Sequence, residues 1–102
     1  MKGKNQLTRL IWDFWREETE ELKQLKVLGE CKVSRWWWVL HIHCLEIETA
    51  QKIVAIESLI EEPLRELRLA NQIKIWVDRN LFAAFKVNSE QLDRFKGATF
   101  KN

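Results

Sequence analysis

The chain contains no tyrosine and has only three glycines, one proline and two cysteines among its 102 residues. The glycines stand far apart, at positions 3, 29 and 97, so the sequence has no glycine-rich loop of the kind that cradles phosphate. The two cysteines, Cys31 and Cys44, are too few for the disulfide framework of a small secreted domain. We interpret both as reduced thiols of a cytoplasmic protein.

A long apolar run is also missing. The most apolar segment, Trp36 to Ile42, is far shorter than the ~20 residues that a membrane helix needs, and it contains a histidine. The basic start, MKGKNQLTRL, is not followed by the apolar segment of a secretory signal. We therefore expect no membrane partner, and a single domain over residues 1–102 with flexible ends at 1–5 and 98–102.

The sequence also lacks a large excess of charge of either sign, with 17 lysine and arginine residues against 15 aspartate and glutamate residues. The formal net charge is only +2, whereas dedicated duplex-binding domains are usually much more basic. A hydrophobic fraction of 46% with 31% charged residues is typical of a globular domain. What the chain has in excess is tryptophan, with six residues of this type. Tryptophan occurs both in hydrophobic cores and at binding surfaces, so the position of each one in the predicted elements matters.

Apolar residues at helical spacing predict an amphipathic helix over 6–26. The stripe consists of Leu7, Leu10, Ile11, Phe14, Leu22 and Leu25, and Glu18 interrupts it. Its first half also alternates between apolar and polar residues, so a strand over 8–15 is the alternative. Acidic residues near a helix C-terminus oppose the helix dipole, which favours an end near Leu22.

Residues 35–46 form the strongest predicted strand, because they are dense in tryptophan, valine and isoleucine and contain no glycine or proline. Residues 27–34 before them are either a short edge strand or an ordered lead-in. In one continuous strand, one face carries Trp36, Trp38, Leu40, Ile42 and Cys44, and the other carries Trp37, Val39, His41, His43 and Leu45. The first set is more apolar, so we expect Trp36 and Trp38 in the core and Trp37 at an interface.

A second helical stripe follows, made of Ile53, Ile56, Ile60, Leu64 and Leu67. Thr49 suits the N-cap of this helix. The spacing of the stripe continues through Pro63. The sequence therefore predicts either one helix over 49–70 with a kink at Pro63, or a second helix that begins with Pro63 at its first position.

Residues 72–88 predict a β-hairpin. A three-residue loop, Asp78-Arg79-Asn80, places every apolar residue on one side by pairing Val77 with Leu81, Ile75 with Ala83 and Ile73 with Phe85. A two-residue turn mixes the faces. In the preferred register Asn80 takes the left-handed position and Trp76 lies opposite Phe82.

The last predicted element is a short helix in NSEQLDRFKG, with Asn88 or Ser89 as its cap and Gly97 as its stop. The element order α-β-α-β-β-α predicts an α+β domain with a small mixed or antiparallel sheet and helices packed on one face. A ferredoxin-like variant is one arrangement that fits these elements.

If helices cover only one face, the other face is rich in aromatic and basic side chains. The candidate interface residues are Trp37, His41, His43, Lys74, Trp76, Phe82 and Lys86. A monomer rarely leaves such a surface in water. We expect a second copy of the chain or a protein partner to cover it. The alternatives are a single-stranded nucleic acid and the N-terminal helix folded across the sheet.

The sequence predicts neither catalysis nor a bound metal or cofactor. His41 and His43 have a spacing found in zinc enzymes, but zinc needs three or four ligands and the chain has no other histidine. Cys44 faces away from His43 in a strand, which excludes a thiolate–imidazole pair. Glu61 and Glu62 lie on the outer side of the helical stripe and show no sign of a desolvated acid pair.

The sequence therefore predicts a small non-enzymatic binding or regulatory domain. Its expected mode is homodimerisation or docking of a protein partner on the aromatic sheet face. The alternative is a module for single-stranded RNA or DNA, because exposed tryptophan and phenylalanine with flanking lysine and arginine suit stacking on bases.

Overall fold

The computed structural model of the protein describes residues 6–87. Its elements are α1 (Gln6–Phe14), α2 (Thr19–Leu25), a 3₁₀ helix (Lys26–Glu30), β1 (Lys32–Trp36), β2 (Val39–Cys44), α3 (Ile47–Ala55), α4 (Glu57–Glu66), β3 (Gln72–Val77) and β4 (Asn80–Lys86). The predicted α+β class is confirmed. The predicted closing helix at 88–97 and the flexible ends at 1–5 and 98–102 lie outside the described residues.

The four strands form one mixed sheet in the order β1-β2-β3-β4. β1 and β2 are antiparallel, β2 and β3 are parallel, and β3 and β4 are antiparallel. The sheet therefore consists of two hairpins side by side. Parallel strands need a long crossover, which α3 and α4 provide. This order of elements differs from the β-α-β-β-α-β order of ferredoxin-like domains.

The helices and one face of the sheet share a single hydrophobic core. Alternate residues of the central strands, among them Leu40, Ile42 and Ile75, are fully buried in it. Ile11 of α1 and Leu25 of α2 belong to the same cluster. The N-terminal helices thus pack on the helical side of the sheet, and the alternative in which the N-terminal helix folds across the other face is wrong.

The predicted single strand over 35–46 is wrong, because the chain reverses in its middle. Trp37 and Trp38 form a two-residue turn between β1 and β2, with φ angles of 55° and 62°. Both positions of such a turn need a positive φ, for which asparagine and glycine are the usual residues. Trp36 and Trp38 are exposed rather than buried. Residues 27–34 divide between the 3₁₀ helix and the edge strand β1.

The predicted helix over 6–26 is interrupted at residues 15–18, and the alternative strand over 8–15 is wrong. The break lets α2 turn back against α1. The indole N–H of Trp12 donates to the backbone oxygen of Leu25 over 2.8 Å, and the ammonium of Lys26 lies 4.8 Å from the Trp12 ring centroid. Trp12, off the predicted apolar stripe, thereby joins the two helices.

The second helical region is divided at Ile56, whereas both predictions placed the irregularity at Pro63. Thr49 is not the cap either, since α3 begins at Ile47. Pro63 lies inside α4 and has no N–H to donate to the backbone oxygen of Leu59 one turn earlier. The indole N–H of Trp15 donates to that oxygen instead, over 2.8 Å. This contact explains how a buried proline fits inside the helix.

The β3–β4 hairpin has a two-residue turn, Asp78-Arg79, and Asp78 rather than Asn80 has the positive φ, 57°. Val77 pairs with Asn80, and Trp76 pairs with Leu81 instead of Phe82. A bulge next to Trp76 then restores the predicted pairs of Ile75 with Ala83 and Ile73 with Phe85. The bulge takes up one extra residue, so a tight turn and an apolar inner face coexist.

Candidate binding surface on the open sheet face

The sheet side chains that point away from the helices form the open face. They are Lys32, Ser34 and Trp36 of β1, Val39, His41 and His43 of β2, Gln72, Lys74 and Trp76 of β3, and Leu81, Ala84 and Lys86 of β4. The register arranges them in rows across the strands. In one row His43 lies between Lys32 and Trp76, and in the next His41 lies between Ser34 and Lys74.

The structure places five of the seven predicted interface residues on the open face. These are His41, His43, Lys74, Trp76 and Lys86. Trp37 instead lies in the β1–β2 turn, and Phe82 is the extra residue of the bulge in β4, where it is 38% exposed.

Trp36 was missed, because the strand alternation that put it in the core runs through a turn. It lies on the open face and is 68% exposed. The sequence has no local signal for the reversal, because neither turn position holds the asparagine or glycine that such a turn usually needs.

Three rings in the middle of the open face pack against one another, and two of them, those of His43 and Trp76, are nearly parallel. The centroids of His43 and Trp76 are 5.8 Å apart with an interplanar angle of 10°. His41 lies 6.1 Å from Trp76 and 6.3 Å from His43, at 32° and 26°. Offset parallel rings at such distances attract one another. The cluster therefore presents an ordered aromatic surface.

A hydrogen bond sets the protonation of His41. The indole N–H of Trp76 donates to Nδ1 of His41 over 3.2 Å, so this nitrogen carries no proton and the ring is neutral with its proton on Nε2. The pKa of His41 is lowered from its ordinary value of 6.5, first by burial and then by the charges of His43 and Lys74. Trp76 is thus held in place by an uncharged partner at neutral pH.

We expect His41 to titrate below 6.5 in an NMR titration of the imidazole signals. Since its folded pKa lies below the unfolded value, His41 contributes stability above pH 6.5 that is lost as the pH falls through the folded pKa. The loss is small because the ring is partly exposed. His43→Gln removes one of the charges that lower the pKa of His41, so it raises that pKa. A His41 pKa at or above the ordinary value contradicts the proposed contacts.

A shallow groove of about 640 Å³ runs over this part of the sheet. It is lined by Ser34, Arg35, Trp36, His41, His43, Trp76, Asp78 and Arg79. The walls combine aromatic rings with the side chains of Arg79 and Asp78, whereas the guanidinium of Arg35 contacts Trp38 and the backbone oxygen of Leu69 instead. A flat ligand with an apolar face suits such a lining, and the lysines of the same face add positive charge beside it.

Charge is segregated between the two sides of the molecule. The open face has three lysines, Lys32, Lys74 and Lys86, and none of its described side chains is a carboxylate. Asp78 at the edge of the groove is next to Arg79. The other acidic residues between 6 and 87 lie in the helices and their connections. The net charge of +2 is therefore an average of a basic face and an acidic helical layer.

An acid pair lies within the helical layer and shares Glu61 with the pair considered in the sequence. Burial, followed by the hydrogen bond and the charge of Glu61, raises the pKa of Glu57 to about 7. Glu61 also lies 3.7 Å from Arg65. The pair is thus Glu57–Glu61 rather than Glu61–Glu62, and it belongs to α4, away from the groove.

The cysteines are also remote from the groove. Cys31 and Cys44 are free thiols whose Sγ atoms lie 3.7 Å apart, and Cys44 is buried on the helical side. Burial, with Cys44 and then Glu30 nearby, raises the pKa of Cys31 to about 12, so its thiol is protonated at neutral pH. Within residues 6–87 no group of three or more histidine, cysteine or acidic side chains is arranged to hold a metal ion.

No protein-family model, curated protein or solved structure matches this chain. Within the part of the chain that the structure describes, no helix is long and apolar enough to cross a membrane.

Proposed function

We propose that the protein is a non-enzymatic, cytoplasmic binding module whose open face binds single-stranded nucleic acid. The observation that carries this proposal is the composition of the open face, where exposed aromatic rings alternate with lysines and no described side chain is acidic. Nucleobases stack on aromatic rings, and phosphates pair with lysine and arginine.

Different residues of this surface are suited to stacking on bases and to pairing with phosphates. Trp36, His43 and Trp76 offer ring surface to bases, and stacking contributes roughly 1–3 kcal/mol per base. Lys32, Lys74 and Lys86 surround these rings in the register of the sheet and are available to phosphates. Four strands at ~4.8 Å spacing span about 15 Å, which is room for a few nucleotides.

A single strand fits better than a duplex. In a duplex the bases are paired and their faces are covered by stacking, so the rings of the open face have nothing to contact. The modest net charge of +2 also argues against a dedicated duplex-binding domain.

Charge favours nucleic acid over the protein partner that the sequence ranks first. If two copies met through their open faces, the lysines of both copies would approach one another without a described carboxylate to compensate them. A different protein on this face needs an acidic surface of its own. A nucleic acid is a polyanion and itself supplies the negative charge that compensates these lysines.

The proposal is tested by titrating the protein with an unstructured oligonucleotide of about eight bases, as DNA and as RNA. We expect quenching of tryptophan fluorescence and an affinity that falls with salt. Three phosphate contacts correspond to a slope of about −2 in log K against log salt, and each lysine-to-alanine change reduces it by about 0.7. The matched control is the same sequence as a duplex.

The outcome that contradicts the proposal is no quenching and no salt dependence. If, in that case, Trp76→Ala lowers the mass in solution, a second copy covers the open face.

A further inference from the structure

The end of the β1–β2 hairpin exposes three consecutive tryptophans to solvent, and a monomer rarely leaves such an apolar surface in water. Trp36, Trp37 and Trp38 are 68%, 75% and 56% exposed. Trp37 projects from the turn, and its ring meets that of Trp36 edge to face at 6.0 Å. We call Trp37 and Trp38 the tryptophan tip.

The backbone of the tip is unfavourable for its residues. Trp37 and Trp38 both have a positive φ, which bulky residues with a Cβ avoid. Strained positions of this kind persist where the side chains serve a function. The tip is therefore a candidate for a contact that the isolated chain does not make.

Beside the tip lies a groove of about 610 Å³, which we call the tip groove. Its lining includes Trp38, Leu64, Arg65, Arg68, Ala70 and Asn71. The volume is in the range of about 300–1,000 Å³ that is common for binding pockets.

The tip groove is fixed before anything binds. The backbone N–H of Asn71 donates to the oxygen of Trp38 over 2.8 Å. The guanidinium of Arg35 lies 5.6 Å from the Trp38 ring centroid and donates to the oxygen of Leu69 over 3.0 Å. These contacts connect the turn to the segment after α4, so the side chains that line the groove are held in place before a ligand binds.

We propose that a second copy of this chain docks here, with Trp37 of each copy in the tip groove of the other. An interface with two-fold symmetry uses the same patch on both copies, so the patch must be complementary to itself. The tip and its groove meet this condition, because a projecting ring and a cavity lie side by side. A different protein would use either the projecting ring or the groove, whereas a second copy of the chain uses both.

Charge and area support this occupant. Arg65 and Arg68 line the tip groove, and guanidinium groups attract the face of an indole. Glu66 also lines the tip groove, and Arg65 is paired with Glu61 and Glu66, so carboxylates here offset part of the arginine charge, whereas the open face has no described carboxylate beside its lysines. Each tryptophan offers about 150–250 Å². Two Trp37 rings, each covering a similar area of the facing groove, then bury about 600–1,000 Å² in total, which is the size of a weak, reversible interface.

The test is light scattering on a sizing column from micromolar to millimolar protein. We expect the mass to rise from 12.3 kDa towards twice this value. Trp37→Gly removes the projecting ring but suits the positive φ, so the chain still folds, and the dimer dissociation constant should rise at least tenfold. Lys74→Ala on the open face is the matched control and should leave that constant unchanged.

Two results overturn the proposal: a monomer at every concentration, or a Trp37→Gly variant that dimerises like the wild type. If Trp76→Ala abolishes the dimer while Trp37→Gly does not, the copies meet through the open face instead. Binding of the oligonucleotide by Trp37→Gly is measured in parallel, so that failure of the dimer and failure of nucleic-acid binding are distinguished.

Discussion

Replacement of Trp76 by alanine is expected to weaken binding of a short single-stranded oligonucleotide about tenfold to a hundredfold. The change removes the ring that lies parallel to His43 at 5.8 Å, and with it a stacking surface worth roughly 1–3 kcal/mol per base. It also removes the N–H that holds His41 at 3.2 Å, so the remaining rings lose their fixed arrangement. Anisotropy of a labelled oligonucleotide measures the effect without relying on tryptophan fluorescence.

Two variants control this experiment. Trp76→Phe keeps a stacking ring but has no N–H, so most of the affinity should remain. Trp38→Ala removes another exposed indole, one that lies in the hairpin turn and not on the open face, and should leave the affinity of a short oligonucleotide unchanged. Equal losses in Trp76→Ala and Trp38→Ala would show that the open face is not the binding surface.

Replacement of Trp37-Trp38 by Asn-Gly is expected to stabilise the monomer by about 1–3 kcal/mol. Left-handed backbone costs an ordinary residue roughly 1–2 kcal/mol, and asparagine followed by glycine is the preferred pair for a two-residue turn of this kind. The exposed contact of Arg35 with Trp38 is lost, which offsets about 0.5–1 kcal/mol. Urea unfolding followed by circular dichroism, at a protein concentration where the wild type is monomeric, measures the difference.

The control for the turn variant is Trp36→Thr, which removes a neighbouring exposed tryptophan from β1 without touching the turn. It should change the free energy of unfolding by much less. A turn variant less stable than the wild type would show that the two indoles stabilise the hairpin. A gain in stability would support a role for the tryptophans in binding, since residues that cost stability are kept where they serve function.

Part of the fold and of the site follows from local patterns. Alternation in 39–44 and 72–77 identified the buried residues of the central strands, because successive side chains of a strand must point to opposite faces. The same rule placed His41, His43, Lys74 and Trp76 together on the outer face. Pairing of Ile75 with Ala83 and of Ile73 with Phe85 followed from the need to keep apolar residues on one side.

The composition does not show that positive and negative side chains lie on different sides of the molecule. A net charge of +2, averaged over the chain, argued against a dedicated duplex-binding domain. The lysines of the open face and the acids of the helical layer are separated only when the strands are paired and the helices are packed. Net charge describes the whole molecule, whereas a ligand meets one face of it.

The sequence by itself determined the α+β class, the buried faces of the central strands and the absence of acidic residues from the outer positions of those strands. These depend on periods of two and 3.6 residues, which act over a few neighbours. The tertiary structure decided where the chain reverses, at Trp37-Trp38, and where helices break, at Ile56 and not Pro63. Such positions conflict with local preference, and distant contacts offset the cost: the indole of Trp15 occupies the oxygen that Pro63 leaves free, and the bulge beside Trp76 reconciles a tight turn with an apolar inner face.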